Sequence, residues 1–215
     1  MSQMTEEAGG RGRLARGMLA MGLPVDENVL QQFTKYSALL RKWNKTYNLV
    51  SSPDLKNFET RHLLDSLSIF PHIQAGALLD AGTGAGLPGL PLAIVNPDLD
   101  CTLLDSAGKK IRFLRQVKRS LGLDNVHPIN MRVEDFQSDK GFNSITCRAF
   151  STLAEFAASV RHLAGSNTRL LAMKGKYPHD ELGALPAWLK LKRVEPITVP
   201  DLHAERHLVI MSVSR

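Results

Sequence analysis

"LLDAGTGAGLPGLPLAI", residues 78–94, decides the fold. An apolar run ends at Asp80, glycines recur at positions 82, 84, 86 and 89, and Pro88 introduces a second apolar run. The expected reading is a strand, a tight turn and a helix start. Glycines permit positive φ and let a ligand approach the backbone closely. Proline suits the first helical turn, where its missing N–H costs nothing. In a doubly wound sheet this first turn is where ligands bind. Two patterns overlap here: Gly82-Thr83-Gly84-Ala85-Gly86, and Gly84-Ala85-Gly86-Leu87-Pro88-Gly89, which spells the G-x-G-x-x-G of a dinucleotide site.

After the loop, short apolar runs alternate with amphipathic ones. "CTLLD" precedes a helix expected from Ala107 to about Leu121, and "NVHPI" precedes a polar connection. "FNSITCRAF" leads into "TLAEFAASVRHL", "TRLLAMK" leads into another helical stretch, and "VEPITV" and "RHLVIMSV" close the chain. Such alternation predicts an α/β protein: a doubly wound, Rossmann-like parallel sheet covered on both faces. Upstream, Val29, Phe33, Tyr36, Leu40 and Trp43 recur at helical steps behind Asp26, a suitable N-cap. A second helix is expected from about Asp54 to Phe70, with Phe58, Leu63, Leu67 and Phe70 inward. The expected organisation is therefore a flexible, basic Gly/Arg-rich segment over 1–23, a helical N-terminal cap over 24–75 and the doubly wound domain over 76–215.

Composition narrows the function classes. With 43% hydrophobic and 22% charged residues the chain is an ordinary globular protein. No apolar stretch is long enough to cross a bilayer and the N-terminal residues lack signal-peptide zones, so a cytoplasmic protein with no membrane partner is expected. Cys101 and Cys147 lie in strand-like runs, and neither C-x-x-C nor H-x3-H nor H-E-x-x-H occurs, which speaks against zinc or a disulfide framework. No metal is expected, and a monomer is the default. A formal charge of +6 permits a nucleic-acid partner without requiring one.

Two carboxylates bear on the ligand. Asp80, just before the glycines, would repel a pyrophosphate and suits a ligand carrying an ammonium and a sulfonium, such as S-adenosylmethionine. Asp105, ending the next strand, suits both hydroxyls of a ribose, which either cofactor has. The loop thus favours the methyl donor over a nicotinamide dinucleotide while leaving the second open. Asp80 is also suited to tying down the turn through backbone N–H groups, and Asp105 to capping the following helix. Past the third strand, "MRVEDF" brings Val133 to lie against an adenine and Glu134 or Asp135 to accept from its amino group; a plain surface turn is the other reading. Arg148, in "TCRAF", ends the fourth strand, where an unpaired charge is costly. It is suited to pairing with Asp80, to holding a cofactor carboxylate or to gripping an RNA phosphate. Cys147 beside it is a core residue or a nucleophile, the first being the commoner fate.

Lys109, Lys110, Arg112, Arg115, Lys118 and Arg119 follow without an acidic residue, while Ile111, Leu114, Val117 and Leu121 make the inward stripe. A solvated helix face is the ordinary meaning of such a run, and phosphate binding the functional one. Arg41, Lys42 and Lys45, with Arg11, Arg13 and Arg16, extend that surface, and Lys174 and Lys176 in "MKGKYP" approach a target nucleotide. His62 and Asp65 share a helix face and suit either an RNA-side wall or a packed interface.

Taken together, "DAGTGAGLPGLPLAI", "TLLDSAGKKIRFLRQV", "RVEDF", "CRAF" and "MKGKYP", with "RKWNKTYNLVS" and "RHLLDSL" before them and "ERHLVIM" after, resemble the bacterial RsmG (GidB) family over roughly residues 25–213. The resemblance implies a class I methyltransferase fold and methylation of N7 of guanine 527 in 16S ribosomal RNA, with naked RNA or the small ribosomal subunit as partner. It implies donor contacts at Gly82, Leu87, Val133, Glu134 and Arg148, with Asp105 as the ribose acid; Asp80, Gly84 and Gly86 complete the set read from the residues. Cys147 departs from the serine expected there, and the Gly/Arg-rich N-terminus is an addition. Guanine N7 has a lone pair and no proton to lose, so alignment suffices and no catalytic acid or base is expected. Two rival classes stand beside this one. A nicotinamide-dependent oxidoreductase explains only the glycines and Asp105, and a non-catalytic RNA-binding module explains only the charge.

Overall fold

The computed structural model describes residues 2–148, 150 and 152–214. Helices α1 (Ser2–Ala20) and α2 (Glu27–Tyr47) lead into α3 (Ser52–Lys56), a π-helical turn (Glu59–Leu64), α4 (Asp65–Leu67) and a 3-10 turn (Phe70–His72). Then follow β1 (Ala77–Ala81), α5 (Gly89–Val95), β2 (Asp100–Asp105), α6 (Gly108–Leu121), β3 (Val126–Asn130), β4 (Ser144–Arg148) and α7 (Leu153–Val160). A 3-10 turn (Arg161–Leu163), β5 (Arg169–Lys174), α8 (His179–Leu182), β6 (Leu189–Pro196) and β7 (His207–Val213) complete the chain.

The strands form one sheet in the order β3-β2-β1-β4-β5-β7-β6. β1 to β5 are parallel, and β7 enters antiparallel between β5 and β6. Strand side chains alternate between faces. Leu78 and Leu103 therefore join the core under α2, α5 and α6, whereas Leu79 and Leu104 join the core with Phe156 and Val160 of α7. Two buried faces are the physical meaning of the unbroken apolar runs in β1 and β2. Chain order reverses between β1 and β4, which opens a crevice at the carboxyl ends of the strands.

The cap is fastened to this sheet. Asp26 caps α2 by accepting from the Val29 N–H at 2.8 Å, and the helix ends where Asn48 adopts φ 47°. α2 packs on α5 and α6, and the buried Tyr36 hydroxyl donates to the Ala85 carbonyl at 2.7 Å. That bond links the cap to the glycine loop. Among the described residues no helix is long and apolar enough to cross a membrane.

Two expectations need correction. Residues 1–23, expected to be flexible, include helix α1, whose Leu14 and Met18 are buried and which packs on the π-helical turn. Glycine weakens a helix intrinsically, but here it allows close docking: a Cβ on Gly17 would stand 2.4 Å from Leu64. Tertiary contact overrides propensity, and Arg11 is ion-paired with Glu27. The single helix expected from Asp54 to Phe70 is broken instead into α3, the π-helical turn, α4 and the 3-10 turn, although Phe58, Leu63 and Leu67 are buried as expected.

Candidate active site

At the crevice, the glycine loop is wired to its surroundings by its own amides. Gly82 and Thr83 N–H donate to the Leu104 carbonyl at 2.9 and 3.0 Å, and Gly84 N–H to Asp105 Oδ2 at 2.9 Å. Gly86 and Leu87 N–H both donate to the Thr83 carbonyl, and Leu90 N–H donates to that of Gly86. Asp80 lies fully buried behind the loop, where its Oδ2 accepts from the Thr83 hydroxyl at 2.6 Å and from Gly89 N–H at 2.8 Å. Its Oδ1 has no partner among the described residues. Burial pushes the carboxyl up to about 6, against the opposing pull of the Thr83 and Gly89 bonds and of Arg148. Gly89 must be bare, because a Cβ there would stand 2.5 Å from Leu103 and 2.8 Å from Asp80 Cβ.

A cleft of about 490 Å³ opens in front of the loop, lined by Gly82, Asp105, Lys110, Val133, Glu134 and Arg148 together with Leu104, Ser106, Met131, Arg132 and Phe150. Gly82 has φ +71°, and a Cβ on it would press to 3.3 Å from the Phe150 ring, so glycine keeps this wall open. Asp105 is buried, accepting from Ala107 N–H at 2.8 Å and from Lys110 Nζ at 3.1 Å as well as from Gly84. Two of its oxygen atoms offer about four acceptor positions, so it retains capacity for a further donor.

A second cleft, of about 430 Å³, shares Arg148 and Phe150 with the first and is completed by Asp54, Arg61, His62, Asp65, Met173, Lys174, Gly175 and Arg206. Asp65 is buried between two guanidiniums: Oδ2 accepts from Arg148 at 3.3 Å and Oδ1 from Arg206 Nε at 2.7 Å. Both ring nitrogens of His62 are buried and have no hydrogen-bond partner among the described residues. Desolvation, with Arg148 nearby, pushes the imidazole down to about 4, so it is neutral at physiological pH.

Of the residues expected to hold a ligand, the fold thus brings Gly82, Asp105, Val133, Glu134 and Arg148 around one cleft. Asp80, Gly84, Gly86 and Leu87 are not on its walls; they build and support the turn. Arg148 pairs with Asp65 rather than with Asp80, because the cap carries a carboxylate to it. Lys110, expected on an RNA-facing surface, turns into the first cleft toward Asp105. Lys174 is ion-paired with Glu181 at 2.8 Å, and Lys109, though exposed, donates to the Tyr47 carbonyl. Arg112 and Arg115 are exposed, and Lys176 lines a separate hollow with Tyr177, His179 and Arg206. Cys147 is buried, and burial pushes its thiol well above its ordinary value, so it is not a poised nucleophile. Ser106, Met131 and Arg132 were findable as sequence neighbours of Asp105 and Val133. The Asp65–Arg148–Arg206 cluster was not, since nothing in local spacing joins its three parts.

The model of the family described as rRNA small subunit methyltransferase G, GidB, matches residues 29–209. The chain belongs to the GidB family. "Ribosomal RNA small subunit methyltransferase G" of Pseudomonas paraeruginosa is 49% identical over 199 residues, 92% of this chain and 93% of that protein. Its namesake in Chromobacterium violaceum is 47% identical over 92% of this chain and 95% of that one. Among solved structures, the Bacillus subtilis M1A22 tRNA methyltransferase TrmK is similar with a TM-score of 0.57 at 9% identity, over 70% of this chain and 65% of that chain. TYW2 of P. horikoshii in complex with MeSAdo is similar with a TM-score of 0.56 at 12% identity, over 71% and 62%. These likenesses place the GidB chain in the Rossmann-like class I methyltransferase fold. The antiparallel β6 and β7 depart from the all-parallel sheet that an alternation of strands and helices predicts, because the two strands follow one another without an intervening helix.

Proposed function

We propose that this GidB-family chain transfers a methyl group from S-adenosylmethionine to N7 of a guanine, guanine 527, in 16S ribosomal RNA. One observation carries the choice of donor. A dinucleotide site offers loop and helix N–H groups to a pyrophosphate. Here the amides of Gly82, Thr83, Gly84, Gly86, Leu87 and Gly89 are all bonded within the protein, the last to a buried carboxylate. No phosphate receptor is left on those groups. A phosphate-free nucleoside with a cationic sulfonium suits the same cleft.

The residues present fit that donor. Asp105 retains acceptor capacity for a ribose hydroxyl, Val133 and Met131 give apolar walls suited to a purine, and Glu134 is an exposed acceptor beside them. When bound, S-adenosylmethionine supplies an electrophilic methyl. The chain's own contribution is to hold, align and dry the reacting groups. Arg148 and Phe150, lining both clefts, border the place where the two reactants meet. Guanine N7 needs no proton removed, and the neutral His62 and the doubly ion-paired Asp65 are consistent with catalysis by positioning. Family membership supports ribosomal RNA as the substrate, and the proposal includes action at the small subunit in the cytoplasm.

The test is transfer of labelled methyl to small ribosomal subunits and, in parallel, to deproteinised 16S RNA, with the modified base mapped. Label at N7 of one guanine is expected, and Asp105→Ala should weaken donor binding about tenfold or more, in the range of a charge-assisted hydrogen bond. No transfer to either substrate, or label on another atom, overturns the reading.

A further inference from the structure

The second cleft has features of a binding site that the donor does not explain. Asp65 comes from the cap, Arg148 from the end of β4, and Arg206 from the connection entering β7. Three distant segments therefore converge on one carboxylate, which is 3% exposed. Two half-buried guanidiniums, their side chains 20% and 25% exposed, face one buried anion and leave an excess positive charge at the cleft that suits a further anionic or carbonyl partner. Among the described contacts, Arg148 spends one N–H on Asp65, while Arg206 spends Nε–H on Asp65 and one Nη1–H on the Glu205 carbonyl. Each guanidinium has five N–H donors, so several remain, and both side chains line the cleft.

An independent observation points the same way. His62, on the wall of the same cleft, has two buried nitrogens without partners among the described residues, although buried polar groups are nearly always bonded. It lies in the π-helical turn, a distortion that often marks functional positions. The other ionic groups of the cleft are already matched: Arg61 with Asp54 at 3.2 Å, and Lys174 with Glu181. The unmatched capacity is thus the Arg148–Arg206 pair.

We propose that Asp65 is a positioning residue that orients the Arg148 and Arg206 guanidiniums to grip a nucleotide of the target strand in the second cleft. The proposal rests on the RNA methyltransferase reading. Phosphate and base-carbonyl oxygens are the acceptors that such a pair of planar forks recognises. Because Arg148 borders both clefts, the gripped nucleotide is held against the donor cleft. Asp65 itself touches neither reactant. Its carboxylate fixes the forks in advance, so that their ordering is not lost from RNA binding.

Full-length Asp65→Asn keeps the shape but removes the countercharge and leaves a single acceptor oxygen, the NH2 group facing the other guanidinium donor to donor. Three quantities are measured: affinity for a fluorescent 16S RNA fragment, affinity for S-adenosylhomocysteine, and the kinetics of methyl transfer. RNA Kd and RNA KM should rise about tenfold or more, while kcat and S-adenosylhomocysteine affinity stay within about threefold, the pattern of lost ground-state binding. A merely structural role would lower the melting temperature and the active fraction, hence kcat, and leave RNA Kd and KM at wild type; that result overturns the proposal. If Asp65→Asn does not fold, Arg206→Gln carries the same expectation, and a wild-type RNA Kd in that variant is equally fatal. Where both fold, the double variant should be little worse than either single one, because the two residues act as a unit; multiplying effects overturn the coupling. RNA binding without methyl transfer by the wild-type chain would refute the proposed reaction and leave this inference standing on Kd. A wild-type chain that binds no RNA sinks both.

Discussion

Asp80→Asn separates the electrostatic cost of the glycine turn from its hydrogen bonds. The carboxyl is fully buried and lies at about 6 instead of its ordinary 3.8. As pH rises past about 4 the unfolded chain gives up this proton, whereas the folded chain keeps it until about pH 6. The unfolded state therefore binds fewer protons across that window, and stability falls as pH increases through it. A displacement of about two pH units at about 1.4 kcal/mol each makes the fall about 3 kcal/mol, complete near neutrality. For a chain of 215 residues that corresponds to roughly 6–12 °C in Tm. His62 acts in the opposite sense. Its value drops from 6.5 to about 4, so the unfolded chain protonates first and stability falls as pH decreases through that interval. The two windows nearly coincide, and the wild-type profile alone hides both. The measurement is thus the Tm difference between Asp80→Asn and wild type from about pH 4 to about pH 8. The amide can accept from Thr83 and Gly89 but buries an NH2 group, a pH-independent cost of about 1–3 kcal/mol. Against that constant offset, Asn should gain on Asp by about 2–3 kcal/mol as pH rises. A pH-independent difference refutes the argument that Asp80 is a strained buried acid.

Gly89→Ala forces a methyl group into Leu103 and Asp80 and should cost about 1–3 kcal/mol; an unchanged urea midpoint with unchanged m would contradict the packing described. Arg112→Gln with Arg115→Gln removes two exposed charges from α6, and the slope of log RNA affinity against log salt should become shallower by about 1–2. An equal slope would mean that this face of α6 does not meet phosphate.

The fold was legible because its signals are local. Periodicity in Val29 to Trp43, the β1–glycine–α5 unit and the apolar runs of β2, β4 and β5 each report on neighbours in the chain. Asp105, Val133, Glu134 and Arg148 were legible for a related reason: strand ends in a doubly wound sheet face one crevice, so topology delivers them together. The sequence leaves Asp80 both a ligand-facing and a turn-tying role because it displays the charge and not the depth; the packing of Gly89 on it reveals a group turned inward that ties the turn. The orientation of Lys110 depends on where Asp105 stands, and the docking of α1 on glycines reverses what propensity indicates. The Asp65 cluster joins residues 65, 148 and 206, and such convergence is a property of the assembled sheet.

The reversed entry of β7 also sets an order of completion. Among the described residues, those lining the first cleft have all been synthesised by position 150, whereas Arg206 lies just ahead of β7, and β6 pairs with β7 alone. A chain terminated shortly after residue 196 would retain the walls of the donor cleft and lose the arginine that joins the far side of its neighbour. It would also leave β6 without a partner and the edge of β5 bare. Premature stop codons late in the coding sequence are therefore expected to yield a protein exposed to aggregation, with its nucleotide grip gone before its donor cleft.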